Sequence, residues 1–107
     1  MKNTTPKHPN LALTPGQIRF LRAKAHHLNP VVRISDAGLS ASVTKEIATA
    51  LKAHELIKIK VTQDQKEERE ALLEAICASL DAKPVQHIGK TLVVYRRAAE
   101  PKFILPA

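Results

Sequence analysis

The sequence predicts an α/β domain in which three helices pack on a four-stranded mixed sheet. Residues 56–61, LIKIKV, alternate apolar and basic side chains, as a strand with two different faces does. Two apolar runs flank Gly89-Lys90, which is typical of a hairpin, so the last two strands should be antiparallel neighbours. Three segments with helical apolar spacing precede or separate the first three strands, which indicates parallel crossovers. The predicted order is α-β-α-β-α-β-β.

The first helix is predicted to begin after Thr14 and to end near His27. Thr14 precedes Pro15 and lies three residues before Gln17, which is the pattern of a capping box with proline at the first helical position. Apolar residues recur at helical spacing and should form the buried stripe, namely Ile18, Leu21, Ala25 and Leu28. A basic ridge follows another face, formed by Arg19, Arg22 and His26.

The segment from Asn29 to Ile47 is predicted to form a strand, a tight loop and the start of the second helix. Three β-branched residues follow the Asn-Pro turn, which favours extended backbone. Gly38 can adopt a backbone angle that other residues resist, and Ser40 is a good N-cap. Such a strand-loop-helix directs amide groups and the positive end of the helix dipole at one spot, which is a general anion site.

The remaining elements follow from the same patterns. We predict a second helix from Ser40 to about Ala53, a strand over 56–61, a third helix over 63–80, and strands over 85–88 and 91–96. The predicted divisions are a flexible basic arm over 1–12, a domain over 13–97 and a tail over 98–107. The tail contains Phe103-Ile104-Leu105, and the sequence leaves open whether it docks on a sheet edge, contacts a partner or stays loose.

Basic and acidic residues are segregated along the chain, whose net charge is +7. The first 35 residues contain six Lys or Arg and no acid, whereas six acids lie between Asp64 and Asp81. This segregation indicates one basic face for a polyanion and one acidic face turned away from it. With two Phe, one Tyr and no Trp, a nucleic-acid surface built on stacked aromatics is not expected.

Several functional classes find no support in the residues. The single cysteine, Cys77, excludes an internal disulfide and lies among acids, so we interpret it as structural. The five histidines have no metal-site spacing, and the GxxxxGK[ST] pattern is missing. We therefore predict no catalytic residue, no metal and no cofactor. No signal-like or membrane-spanning apolar run is visible, so a cytoplasmic protein with no membrane partner is expected.

The basic residues of the first two helices and of the segment between them are predicted to converge on a single surface that contacts the RNA backbone. The predicted RNA-binding residues are Arg19, Arg22, Lys24, His26, Arg33, Ser35, Asp36, Ala37, Gly38, Ser40, Lys45 and Lys52.

Two sequence blocks resemble the CRM domain, the chloroplast RNA splicing and ribosome maturation domain, in its stand-alone bacterial YhbY-type form. They are LRAKAHHLNPVVRISDAGLSASVTKEIATALKAHELIKIKV and QHIGKTLVVYRR, and the resemblance extends over about 13–97. It implies a fold similar to the C-terminal domain of translation initiation factor three. It also implies RNA binding and association with precursors of the large ribosomal subunit.

The resemblance further implies a Gly-x-x-Gly loop, which aligns with Ser35-Asp36-Ala37-Gly38. Only the second glycine is kept, and Asp36 would repel a phosphate by about 1 kcal/mol at contact range in water-like surroundings. Either the loop binds RNA weakly, or the contact has moved to Arg33, Lys45 and the first-helix ridge. We favour the second hypothesis because the rest of the basic face is intact.

The sequence thus predicts a monomeric, non-catalytic RNA-binding protein that contacts rRNA backbone during assembly of the large ribosomal subunit. A regulator of other structured RNAs is one alternative. A protein-interaction module that uses the acidic third helix and the apolar tail is another. A duplex-DNA binder is a third, although a helix-turn-helix pattern is missing.

Overall fold

The structure, a computed structural model, describes residues 12–107. Most of the predicted N-terminal arm, residues 1–11, lies outside the described residues. The predicted element order and the mixed four-stranded sheet are confirmed. The elements are α1 Pro15–Ala25, β1 Val32–Ile34, α2 Ala41–His54, β2 Leu56–Val61, α3 Lys66–Leu80, β3 Lys83–Ile88 and β4 Thr91–Tyr95.

The sheet has the strand order β1-β2-β4-β3. β1 runs parallel to β2, and β4 runs antiparallel to both β2 and β3. The hairpin between β3 and β4 turns at Gly89, whose φ of 53° lies in the left-handed region that glycine adopts without strain. Both predictions about strand direction are therefore confirmed.

The helices lie on both faces of the sheet, and buried strand residues form a separate apolar cluster on each face. α2 and α3 pack on one face, against a core that includes Ile34, Ile59 and Val94. α1 packs on the opposite face, where Leu21 and Ala25 meet Leu56, Val93 and Tyr95. No helix within residues 12–107 has the length and apolar character needed to cross a membrane.

The sequence predicted the boundaries of some helices and strands more accurately than those of others. The capping box of α1 is present, since Thr14 and Gln17 each accept a hydrogen bond from the other's backbone amide. α3 begins at Lys66 rather than near Gln63, whose side chain instead donates to the Ser35 carbonyl at 2.8 Å. β3 begins two residues earlier than predicted and includes Pro84. An edge strand tolerates this proline, which lacks an N–H, and a register shift follows it.

The tail packs on the α1 side of the molecule. Phe103 lies between the rings of Phe20 and Tyr95, with centroid distances of 6.1 and 6.0 Å. Gln17 Nε2 donates to the Pro106 carbonyl at 3.0 Å. Glu55, which is fully buried, accepts hydrogen bonds from two amides of the tail segment. Of the three possibilities that the sequence left open, the tail thus docks, although on a helix and a sheet face rather than on a sheet edge.

Candidate functional site

A row of basic side chains lies on the face of the sheet that α1 covers only in part. Lys58 and Lys60 alternate with the buried residues of β2, so both point away from α2 and α3. Arg33 of β1 is the register partner of Lys60 and therefore points to the same face. We call these three residues and His26 the basic sheet face.

His26 joins the end of α1 to this face. Directly after the helix, its side chain helps to line a cavity of about 150 Å³ with Lys58 and four residues of the hairpin strands, namely Gln86, Ile88, Thr91 and Val93. Its ring meets the His27 ring edge-on at a centroid distance of 5.5 Å. The basic sheet face therefore extends from β1 across β2 to the C-terminal end of α1.

At the β1 edge, Arg33 and Lys60 line a second cavity of about 520 Å³. Pro30, Val31 and Val32 form another part of its wall, and Glu46 of α2 completes it. A carboxylate here opposes an incoming phosphate, so Glu46 marks the border of the basic sheet face on this side.

The ridge on α1 has a structural task as well as a charge. Arg22 Nε donates to the Val85 carbonyl at 2.9 Å and so ties the helix to β3. Arg19 is exposed one turn earlier. Lys24 does not share this ridge, because its ammonium group lies 4.6 Å from the centre of the Phe103 ring, in a cation–π contact with the tail.

The loop after β1 is fastened to the end of β2. Asp36 accepts a hydrogen bond from the Thr62 hydroxyl, and the Ser35 carbonyl accepts one from Gln63. Gly38 has a φ of 84°, which explains why a glycine stands here even though a Cβ would meet nothing. The carboxylate of Asp36 is thus held by a neighbouring strand end.

Several amides that the sequence offered to a phosphate already have partners inside this segment. Ala37 N–H donates to Ser35 Oγ at 3.4 Å, and Gly38 N–H donates to the Ser35 carbonyl at 2.9 Å. At the start of α2, Val43 N–H donates to Ser40 Oγ at 3.2 Å, as expected for an N-cap. A phosphate could therefore bind the amides of Ala37, Gly38 and Val43 only by displacing these internal acceptors.

The predicted single surface of both helices is divided by the sheet. α1 lies on one face and α2 on the other, so Lys45 and Lys52 of α2 are separated from Arg19 and Arg22 of α1. Lys45 approaches the basic sheet face only around the β1 edge, where it shares a cavity with Val31 and Val32. The sequence pattern could not show this, because apolar spacing gives each helix a buried stripe but not the face of the sheet on which it packs.

The predicted acidic face is the outer side of α3, beyond the opposite face of the sheet. Its exposed carboxylates are those of Glu67, Glu68, Glu70 and Glu74. Asp64 precedes this helix and binds Lys90 at 2.7 Å, and this hydrogen bond and charge hold the pKa of Asp64 below its usual range. The carboxylates of α3 are thus separated by the sheet from Arg33, Lys58 and Lys60.

The side chains considered for catalysis or metal binding do not assemble a site. Burial raises the pKa of the Cys77 thiol to about 11, so it is a neutral thiol at physiological pH. Within residues 12–107, no three His, Cys, Asp or Glu side chains are grouped so that they could hold a metal ion.

Comparison with known proteins identifies the family and the fold. The family model of the CRS1 / YhbY (CRM) domain matches residues 13–96. The chain belongs to this family. Among curated relatives, an RNA-binding protein of Haemophilus influenzae is 45% identical over 94 residues, which cover 88% of this chain and 95% of that protein. The Bacillus subtilis protein named "Probable RNA-binding protein YqeI" is 42% identical over 92 residues, covering 86% and 96%.

The CRM fold is also seen in a solution structure of the Staphylococcus aureus protein SAV1595. That structure superposes with a TM-score of 0.80 at 33% sequence identity, and it covers 89% of this chain and 100% of its own.

In this CRM domain, sequence reasoning missed Lys58 and Lys60 as site residues. The alternation of β2 showed that both point away from Ile57, Ile59 and Val61. It did not show that Arg33 would lie beside them, since that depends on the register between β1 and β2.

Proposed function

We propose that this CRM-domain protein binds the phosphate backbone of structured RNA through the basic sheet face. The observation that carries the proposal is the placement of Arg33, Lys58 and Lys60 on one face, with the acidic outer side of α3 beyond the other. Lys and Arg side chains supply most of the affinity in such complexes by neutralising phosphates and releasing counterions. The names of the relatives from Haemophilus influenzae and Bacillus subtilis point to the same kind of ligand.

The target we propose is rRNA in precursors of the large ribosomal subunit, which the protein joins in the cytoplasm as a monomer. This target rests on the likeness to the YhbY type. The expected test is sedimentation of a lysate at low and high salt. The protein should move with large-subunit precursors at low salt and leave them at high salt, and rRNA should dominate the RNA that is cross-linked to it. Cross-links confined to other RNAs would support a regulator instead.

The interaction-module alternative is less well supported by the packing. Phe103 and Leu105 are half-buried against the core of this chain, and only Ile104 of the apolar tail triplet is well exposed. A partner that survives ribonuclease treatment of the lysate would favour that alternative, whereas loss of all sedimenting partners supports RNA as the bridge.

A further inference from the structure

A cavity of about 560 Å³ lies beside the basic sheet face and is not explained by phosphate binding. It exists because β1 is short. β1 pairs with Ile59–Val61, so the first three residues of β2, Leu56, Ile57 and Lys58, lie beyond its start. The end of α2 and the tail form the sides of this space, which a longer β1 would have filled. Its volume is within the range of pockets that hold small organic groups.

The lining of this cavity is chemically divided. The buried residues Leu56 and Ile57 and the half-buried Leu28 supply an apolar part of the lining. The exposed polar members of the lining are Lys24, Asn29, His54 and Lys102, so they stand at the mouth. None of the described residues that line the cavity is acidic. A flat, largely apolar ring with polar edges that is attached to an anion complements such a lining, whereas a carboxylate-poor basic mouth repels cations.

The cavity adjoins the one that contains Arg33 and Lys60. Val31, which is 47% exposed, lines both this cavity and the one that contains Arg33 and Lys60. A phosphate bound by those two cations would therefore lie next to this cavity, with Val31 between them.

A buried carboxylate holds the tail wall in place. Glu55 is fully buried, and its two carboxylate oxygens accept hydrogen bonds from the amides of Ala98 and Lys102. Phe103 follows directly and is packed against Phe20 and Tyr95. Burying a charge is unfavourable without such partners, so the two hydrogen bonds stabilise the buried carboxylate and hold the tail in place.

We propose that this cavity receives one unpaired nucleobase of an RNA that lies on the basic sheet face. The proposal rests on the RNA-binding function proposed above and adds a base contact to it. Phosphate contacts position an RNA, and a base held in a cavity gives the protein a preference for RNAs with an unpaired nucleotide next to a helix.

The first test uses nucleotides alone and does not depend on RNA binding. The ¹H–¹⁵N spectrum is recorded during titration with the four nucleoside 5′-monophosphates, and with ribose 5-phosphate as a control that lacks the base. We expect at least one nucleotide to shift the amides of Ala53, His54, Leu56 and Lys102, and ribose 5-phosphate to leave them unmoved. Equal shifts with ribose 5-phosphate, or no shift with any nucleotide, would overturn the proposal. Stronger shifts with an acidic, leucine-rich peptide would assign the cavity to a protein partner and also overturn it.

The second test uses a hairpin RNA with one bulged nucleotide, made with each base and with an abasic site. A contact with a base should favour at least one bulged base over the abasic site on the order of tenfold. Ala53→Leu fills the cavity from an exposed helix position, and Ala75→Leu on α3 is the matched control. Ala53→Leu should abolish the preference while binding the fully paired hairpin like wild type, and Ala75→Leu should retain it.

An unchanged preference in Ala53→Leu would overturn the base contact and leave the proposed function standing. Failure of the wild-type protein to bind any of the hairpins would instead contradict the proposed function, and the nucleotide titration would still decide whether the cavity binds a base.

Discussion

The two faces of the sheet are built from the same strands but differ in what covers them. On the face of α2 and α3, Ile57, Ile59 and Val61 of β2 are buried together with residues of both helices and of β1 and β4. On the other face, α1 covers Leu56 but leaves Lys58 and Lys60 partly exposed beside Arg33. Successive residues of β2 therefore have different roles: those on one face stabilise the core, and Lys58 and Lys60 on the other face supply positive charge.

This comparison explains how a small domain can present a strongly basic surface without weakening its core. Alternation along a strand places every second side chain on the opposite face, so cations gathered on one face do not disturb packing on the other. The acidic residues of α3 lie beyond the apolar layer, away from Arg33, Lys58 and Lys60. The separation can be tested by substitutions that affect one property and leave the other unchanged.

The largest expected effect is on stability, from the buried face. Ile59→Ala removes a fully buried side chain and should lower the free energy of unfolding by about 2–5 kcal/mol. Lys60→Gln, at the next residue, should change it by no more than about 0.5 kcal/mol. Urea denaturation measures both. A similar loss of stability in the two variants would contradict the view that only the face covered by α2 and α3 stabilises this part of β2.

The next effect concerns the buried carboxylate that holds the tail. Glu55→Gln keeps the shape but removes the charge and replaces one of the two accepting oxygens by an NH2 group, which cannot accept from a tail amide, so a loss of about 2 kcal/mol is expected. Hydrogen exchange should show faster exchange at Ala98 and Lys102, with Ile59 on the far face unchanged when measured below the global unfolding limit. Unaltered exchange at both tail amides would mean that Glu55 does not fasten the tail.

A smaller effect distinguishes the charge of Asp36, in the loop after β1, from its hydrogen bond to Thr62. Asp36→Asn keeps an acceptor for Thr62 but removes the charge, so stability should hold while RNA affinity rises up to about fivefold, equivalent to about 1 kcal/mol. Thr62→Val removes the hydrogen bond and keeps the charge, so stability should fall by about 1 kcal/mol with RNA affinity nearly unchanged. Urea denaturation and titration with a hairpin RNA measure the two properties. No gain in affinity for Asp36→Asn would place the loop away from phosphate.

Much of the fold could be predicted because its signals are local. The capping box of Thr14 and Gln17, the alternation of β2 and the Gly89 turn each depend on residues close together in sequence. The start of α3 was harder, because its N-cap, Gln65, makes no side-chain capping bond. The early start of β3 was harder still, since Pro84 is acceptable in a strand only because that strand lies at the sheet edge.

The site was less predictable than the fold because it depends on contacts between distant residues. Arg33 and Lys60 become neighbours through strand register, and Lys45 is separated from Arg22 by the choice of sheet face. The Asp36 carboxylate accepts a hydrogen bond from Thr62, 26 residues away. The sequence indicated that this carboxylate would repel a phosphate, but it did not show the hydrogen bond. None of these contacts has a signature in the spacing of residues along the chain.

The salt dependence of RNA binding tests the role of the basic sheet face most directly. Lys60→Gln and Lys66→Gln make the same change in charge, but Lys60 lies on the basic sheet face and Lys66 is exposed at the start of α3. Affinity for a hairpin RNA is measured at several salt concentrations for wild type and both variants. We expect Lys60→Gln to weaken binding and to reduce the magnitude of the slope of log K against log salt by about 1, the change for one lost phosphate contact, while Lys66→Gln matches wild type. Equal slopes for the two variants would contradict the account.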